Sequence, residues 1–162
     1  MMNTKDDPKS SDEPDLIGKQ KQFVTIFIAG QMFGIPVLDI QDVLGPQKLT
    51  WVPLAPSEVA GVLNLRGRIV TAIDVRKRLG LSPSDVRDSM SIVVDHQNEL
   101  YSLIVDSVGE VLNLADNTYE RSPATLDALW QELSAGVYRL NEKLMVVLDV
   151  SKLLDFANSE AA

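Results

Sequence analysis

GVLNLRGRIVTAIDVRKRLGL runs from Gly61 to Leu81 and reads as a β-hairpin running into a short helix. Val62–Leu65 and Arg68–Ile73 are apolar, β-branched runs of strand length, and Arg66-Gly67 between them is a two-residue turn. Asp74 stands where a helix N-cap belongs, ahead of Val75–Leu79, and Gly80 stands where the helix must stop. The same pattern returns in GVYRLNEKLMVVLDVSKLLDF from Gly136 to Phe156, 75 residues later. Gly61-Val62 falls on Gly136-Val137, Leu65 on Leu140, Ile73-Asp74-Val75 on Leu148-Asp149-Val150, and Lys77 and Leu79 on Lys152 and Leu154.

Working outward, FVTIFIAGQMFGIPVLDIQDVL from Phe23 lies over SIVVDHQNELYSLIVDSVGEVL from Ser91 without a gap, at an offset of 68. Val24 and Ile26 meet Ile92 and Val94, Phe33 meets Tyr101, Ile35 meets Leu103, and Asp42-Val43-Leu44 meets Glu110-Val111-Leu112. The two matches occur in the same order, and the difference in offset puts seven extra residues in the second copy's middle connection. A repeat of about 70 residues is too long for a solenoid unit. It predicts two similar small subdomains packed together, each marginal alone because it buries too little surface.

Each half has several short strands punctuated by Gly and Pro, which predicts small β-barrels. Phe23–Ile28 and Phe33–Val37 form a hairpin around Ala29–Met32, and apolar residues at 37, 40, 43 and 44 have a spacing that permits a short helical turn. Ser57 is placed to cap a turn through Ala60. The extra residues of the second half, roughly Pro123 to Leu133, predict a helix started by Pro123 with Leu126, Leu129, Trp130 and Leu133 on one face. Residues 1–20 are polar, charged and proline-containing, so a disordered tail is expected there. The remainder divides into a first barrel at roughly 21–84 and a second at roughly 88–158.

Composition narrows the function. Formal net charge is −8, and the one basic cluster is Arg76-Lys77-Arg78, so neither nucleic acid nor an anionic membrane is expected as a partner. The chain has no cysteine, which fits a reducing compartment. The charged N-terminus is not a secretory signal, and no apolar run reaches the roughly 18 residues of a membrane span, so the cytoplasm is the expected location. The single histidine, His96, sits in the polar run Asp95–Glu99 and reads as a solvated turn residue; a phosphorelay role would rest on it alone. Asp74, Asp95, Asp106 and Asp149 follow strand-like runs, where an aspartate ordinarily caps what comes next. No Gly-rich phosphate loop or metal-ligand spacing is present, so no catalytic, cofactor or metal site is expected, and the chain reads as a binding protein.

With these segments assembled, the chain resembles the CheW chemotaxis coupling-protein family. The likeness is carried by Phe33-Gly34-Ile35 with Ile40-Gln41-Asp42-Val43, by Gly61–Gly67 with Ile69-Val70 and Asp74-Val75-Arg76, and by Val105-Asp106 with Val108 and Glu110-Val111, and it runs from about Phe23 to Leu154. It differs from the common family pattern in carrying Asp42 where glutamate is frequent and Thr71 where proline is frequent. The resemblance implies a mainly β fold of two packed, intertwined SH3-like five-stranded β-barrels with a few short helices. It implies a non-catalytic adaptor or scaffold that couples methyl-accepting chemoreceptors to the histidine kinase CheA, without cofactor. The partners would be the kinase regulatory domain, packing barrel to barrel, and the receptor's helical hairpin tip, docking in the groove between the barrels. Expected binding residues are Ile40, Asp42, Val43, Asn64, Arg66, Gly67, Ile104, Val105 and Val108, with Arg66 reaching across the first barrel to Asp42. Ile40, Val43, Ile104 and Val108 each read first as plain core, with at least two of the four expected to line the groove, and Trp51 and Trp130 are candidate interface anchors. Two other classes compete: a paralogue in another chemosensory array, such as pilus-based motility, and a small-molecule sensor with its ligand held between barrels.

Overall fold

The computed structural model describes residues 20–83, 85–115, 119–121, 126–141 and 143–161. The expected tail therefore lies outside the described residues except for Gln20, which already belongs to a strand. In chain order the first half contributes β1 (Gln20–Ile28), β2 (Gln31–Pro36), a 3-10 turn (Val37–Asp39), β3 (Ile40–Leu44), β4 (Val59–Leu65), β5 (Arg68–Asp74) and α1 (Val75–Arg78). The second contributes β6 (Met90–His96), β7 (Glu99–Val105), β8 (Ser107–Ala115), β9 (Tyr119–Glu120), α2 (Ala128–Leu133), β10 (Ser134–Leu140), β11 (Lys143–Leu148) and α3 (Val150–Ala161).

The turns follow from residue chemistry. Ala29-Gly30 (φ 52° and 81°), Arg66-Gly67 (53° and 84°) and Gln97-Asn98 (54° and 67°) all have positive φ at both central positions, the arrangement whose twist matches that of the flanking strands. The first turn is thus tighter than the expected Ala29–Met32. The Asp95–Glu99 run tightens likewise: His96 ends β6 opposite Glu99, and its ring lies 6.3 Å from that of Tyr101. His96 is half-buried with Nε2 out of reach of solvent, a correction to the expected solvated turn residue. Asp74 accepts the Arg76 N–H at 3.1 Å and caps α1, and Gly80 (φ +79°) follows its end.

The repeat is visible strand by strand. β4 shifted by 75 residues coincides with β10, both strands are bulged at the same glycine, and Gly61 (φ +151°) and Gly136 (φ +154°) share a conformation. The sheets, however, cut across the halves. The six-stranded sheet runs β8-β1-β2-β11-β10-β9 and the five-stranded sheet β3-β6-β7-β5-β4. Each sheet takes the first hairpin of one half and the later strands of the other, joined by a parallel pair, β2 with β11 or β5 with β7. A boundary near 84–88 therefore divides the repeat and not the sheets. This exchange is the intertwining, and it resembles a domain-swapped dimer joined into one chain.

Strand alternation distributes apolar side chains to three clusters. The largest lies between the sheets and contains Ile26, Ile28, Phe33, Ile35, Ile73, Ile92, Leu103, Val105 and Val146. Phe23, Tyr138, Met145 and Val147 fill the other side of the six-stranded sheet, and Leu63, Val70, Ala72 and Ile104 that of the five-stranded sheet.

Two features seal the shared core. Trp130 of α2 packs against Phe33, the rings tilted at 59° with centroids 5.3 Å apart, and donates its indole N–H to the Leu79 carbonyl at 3.0 Å. It is a structural anchor where an interface anchor was a candidate. Helix α2 begins at Ala128 behind an Asp127 cap, not at Pro123, which lies outside the described residues; the apolar face of Leu126, Leu129, Trp130 and Leu133 packs on the core as expected. The second feature is a two-pronged ion pair: Arg76 Nε and Nη2 donate to Asp106 Oδ1 and Oδ2 at 2.8 and 2.7 Å. Asp106 also accepts the Ala29 N–H at 2.9 Å. It lies at the crossover where the chain leaves β7 in one sheet for β8 in the other. The expected turn-capping role of Asp106 is replaced by this clamp. The Arg76 guanidinium holds the Asp106 carboxyl below its ordinary range, burial opposes this, and the Ala29 N–H adds to the lowering.

Candidate functional site

β3 and β4 are the two edges of the five-stranded sheet. The turn leaving β4 carries Arg66, and its shape is fixed locally: Asn64 Oδ1 accepts the Gly67 N–H at 3.0 Å, and positive φ at Arg66 and Gly67 aims the arginine outward. Arg66 Nη2 then reaches Asp42 Oδ2 on β3 at 2.9 Å, through one nitrogen rather than two. The second Asp42 oxygen accepts the Val43 N–H at 2.9 Å. This contact spans from one edge of the five-stranded sheet to the other.

The pair contributes little to stability. The Arg66 side chain is 75% exposed and that of Asp42 27%, and exposed ion pairs are worth roughly 0–1 kcal/mol. The positions equivalent to Asp42 and Arg66 in the second half are Glu110 and Asn141, and a neutral asparagine cannot make the ion pair. The repeat therefore builds this edge once.

The expected binding residues separate into three groups. Asp42, Val43, Asn64, Arg66 and Gly67 come together on the exposed edge, with Val43 38% accessible. Ile40 and Val108 are half-buried at the margin of the shared core. Ile104 and Val105 are fully buried on opposite faces of β7, Ile104 in the cluster of the five-stranded sheet and Val105 in the shared core. Both are core, and neither presents a surface to a partner.

Sequence reasoning passed over Ile69, which is 66% exposed and lies opposite Asn64 in the β4–β5 ladder, beside the Arg66 turn. Its signal was available: Val70 and Ala72 point inward, so Ile69 is an apolar residue on the hairpin's outer face. Trp51 is also largely exposed, on the connection whose Thr50 pairs with Val62 of β4. An exposed edge carrying Arg66, Asp42 and the apolar side chains of Val43, Ile69 and Trp51 is suited to protein binding, in which arginine and aromatic residues dominate affinity. Among the described residues no three histidine or acidic side chains gather in a metal-binding arrangement, and no helix is long and apolar enough to cross a membrane.

Comparisons with known proteins agree with this architecture. The profile of the CheW-like domain matches residues 22–158. The chemotaxis protein CheW of Helicobacter pylori is 29% identical over 82% of this chain and 81% of its own. Protein PilI of Pseudomonas aeruginosa is 28% identical over 74% of this chain and 67% of its own. Among solved structures, the scaffolding protein TtCheW of Thermoanaerobacter tengcongensis superposes with a TM-score of 0.75 at 28% identity, covering 83% of this chain and 92% of that one.

Proposed function

The chain belongs to the CheW-like domain family, and on that premise we propose that it is a cytoplasmic, non-catalytic adaptor joining chemoreceptors to the histidine kinase CheA. The observation that carries this reading is the Asp42–Arg66 edge. It is an exposed, geometrically defined ion pair worth little to the fold, flanked by Val43, Ile69 and Trp51. A charged contact that stabilises its own chain so weakly is free to re-pair with a partner, where desolvation raises its worth. Ile40 and Val108, at the margin of the shared core, supply the apolar floor for a receptor helix in the helix-in-groove mode.

The test is titration of the purified chain against the CheA regulatory domain and a receptor cytoplasmic fragment, followed by a kinase assay of the three together. Separate binding to each, with kinase activity rising only in the ternary mixture, is the expected result. Arg66→Ala should abolish coupling while lowering the melting temperature by no more than about 4 °C, since an exposed pair is worth at most about 1 kcal/mol. A collapse in melting temperature would make Arg66 structural and remove the argument. A second reading, that the chain serves a different chemosensory array, has only the weaker likeness to protein PilI behind it. It predicts preference for the kinase and receptors of that array in the same titration.

A further inference from the structure

The first strand of the six-stranded sheet outruns one of its neighbours. β1 and β2 pair in unbroken register from Ile28↔Gln31 to Phe23↔Pro36, and there β2 ends in the 3-10 turn. Gln20, Lys21 and Gln22 continue beyond it, paired with Ala115, Leu114 and Asn113 of β8. Among the described residues no strand lies on their other flank. The space left there is a cavity of about 940 Å³, bounded by Gln20–Gln22, by Val37 and Leu38 of the 3-10 turn, and by Tyr119. Its open apolar surface is Leu38, 95% exposed, and Tyr119, 39% exposed, while Phe23 and Tyr138 belong to the packed cluster beneath.

The backbone on that flank has a fixed parity. Residues on either side of a two-residue turn exchange both N–H and C=O with each other, and the pattern repeats at every second position. Ile28 and Gln31 flank the Ala29-Gly30 turn, so Ile26 and Val24 aim their backbone groups at β2. Gln22 and Gln20 continue the series and aim theirs into the cavity, while Lys21 and Phe23 aim theirs at β8.

The chain that arrives at Gln20 matches this opening. Asp15-Leu16-Ile17-Gly18-Lys19 precedes it, and Leu16-Ile17 is the one apolar pair in residues 1–19 beyond the two initial methionines. Gly18-Lys19 places glycine first, as suits the two-residue turn that needs positive φ at its first central position. A turn there sets Ile17 opposite Gln20, Leu16 opposite Lys21 and Asp15 opposite Gln22. Ile17 and Asp15 then meet the two residues whose backbone groups face the cavity, as the parity requires. Cross-strand partners share a face, so Leu16 falls on the face of Lys21 and Phe23 and Ile17 on that of Val24. Pro14, which has no N–H, would come opposite Phe23, where Pro36 already stands. The segment therefore fills three positions and stops.

We infer that Asp15–Ile17 folds back at Gly18-Lys19, pairs with Gln20–Gln22 and closes the cavity as a strap. Three residues at a strand end make a weak ladder, so the strap opens locally without unfolding the sheet. An extended segment of a partner gains the same backbone groups only by displacing it. The inference stands independently of the adaptor reading.

The test is amide hydrogen exchange on the full chain, followed by NMR. The Gln20 and Gln22 amides should exchange slowly, and roughly tenfold faster or more in the double variant Leu16→Asp, Ile17→Asp. Gly18→Val keeps both apolar residues but opposes the positive φ, and it should have the same effect. Lys21 and Phe23, bonded to β8, should stay protected in all three proteins. Free exchange at Gln20 and Gln22 in the full chain would overturn the inference, by leaving the flank open to a partner. Protection that survives both variants would also overturn it, since another segment would then cover the flank. Protection that falls on dilution would overturn it by making the strap that of a second copy.

Discussion

Asp106→Asn isolates the clamp between the sheets. The substitution keeps the side chain's shape and leaves one acceptor, but removes the charge that draws both Arg76 nitrogens, at 2.7 and 2.8 Å, and the Ala29 N–H at 2.9 Å. A hydrogen bond to a charged group contributes roughly 1.5–3 kcal/mol. Arg76 and Asp106 are 25% and 30% exposed, so solvent screens part of this, and the asparagine retains one bond. The expected loss is about 1–2 kcal/mol at neutral pH, or roughly 2–8 °C in melting temperature for a chain of this size. The pH dependence makes the prediction stricter. Asp106 is held below its ordinary pKa in the folded chain, so its contribution is complete above the unfolded aspartate value of about 3.9 and disappears as pH falls through the lowered value. Urea unfolding of wild type and variant, repeated from neutral to acid pH, should show a gap that is widest at neutrality and closes in acid. Equal stability at neutral pH, or a gap unchanged in acid, would refute the reasoning that the charge itself holds the crossover.

Two further outcomes follow from the fold. Gly61→Ala should destabilise the chain by about 2 kcal/mol or more: φ is +151° there, and a Cβ would stand 2.7 Å from the Thr50 carbonyl oxygen, which is backbone and cannot yield cheaply. Calorimetry checks this against Gly67→Ala, whose Cβ would meet open space and which should lose only the cost of its positive φ. Separate fragments 20–84 and 88–158 should each remain unfolded by circular dichroism, since β1 and β2 find their partners β8 and β11 in the other half, and mixing them should restore β structure. A stable isolated fragment would contradict the exchange of strands.

The strands, turns and repeat were legible because they rest on local chemistry. Period-two alternation and two-residue turns fixed the hairpins, and the offsets of 68 and 75 aligned the halves. Strand exchange left no local trace, because β2 presents the same apolar pattern whether its neighbour comes from its own half or from the other. The apolar positions 37, 40, 43 and 44 suited a helical turn, yet only Val37–Asp39 forms one; Ile40 onward pairs with β6 and the ladder prevails over spacing. Ile104 and Val105 were misleading for a related reason. β7 lies between two cores, so consecutive residues are buried on opposite faces and a groove cannot be told from an interior. Arg66 with Asp42 was within reach because family likeness placed both. Arg76 with Asp106 was not, since nothing local tells an aspartate after a strand to cap its turn or to hold an arginine 30 residues away.

The single Asp42–Arg66 tie, answered across the repeat by Glu110 and Asn141, has a geometric consequence. A body with true two-fold symmetry offers the same face twice and can be inserted into a lattice either way round. With one seam laced by an ion pair and, among the described residues, none between the equivalent positions of the other, this chain has a front and a back. Two unlike neighbours can therefore read which way it points.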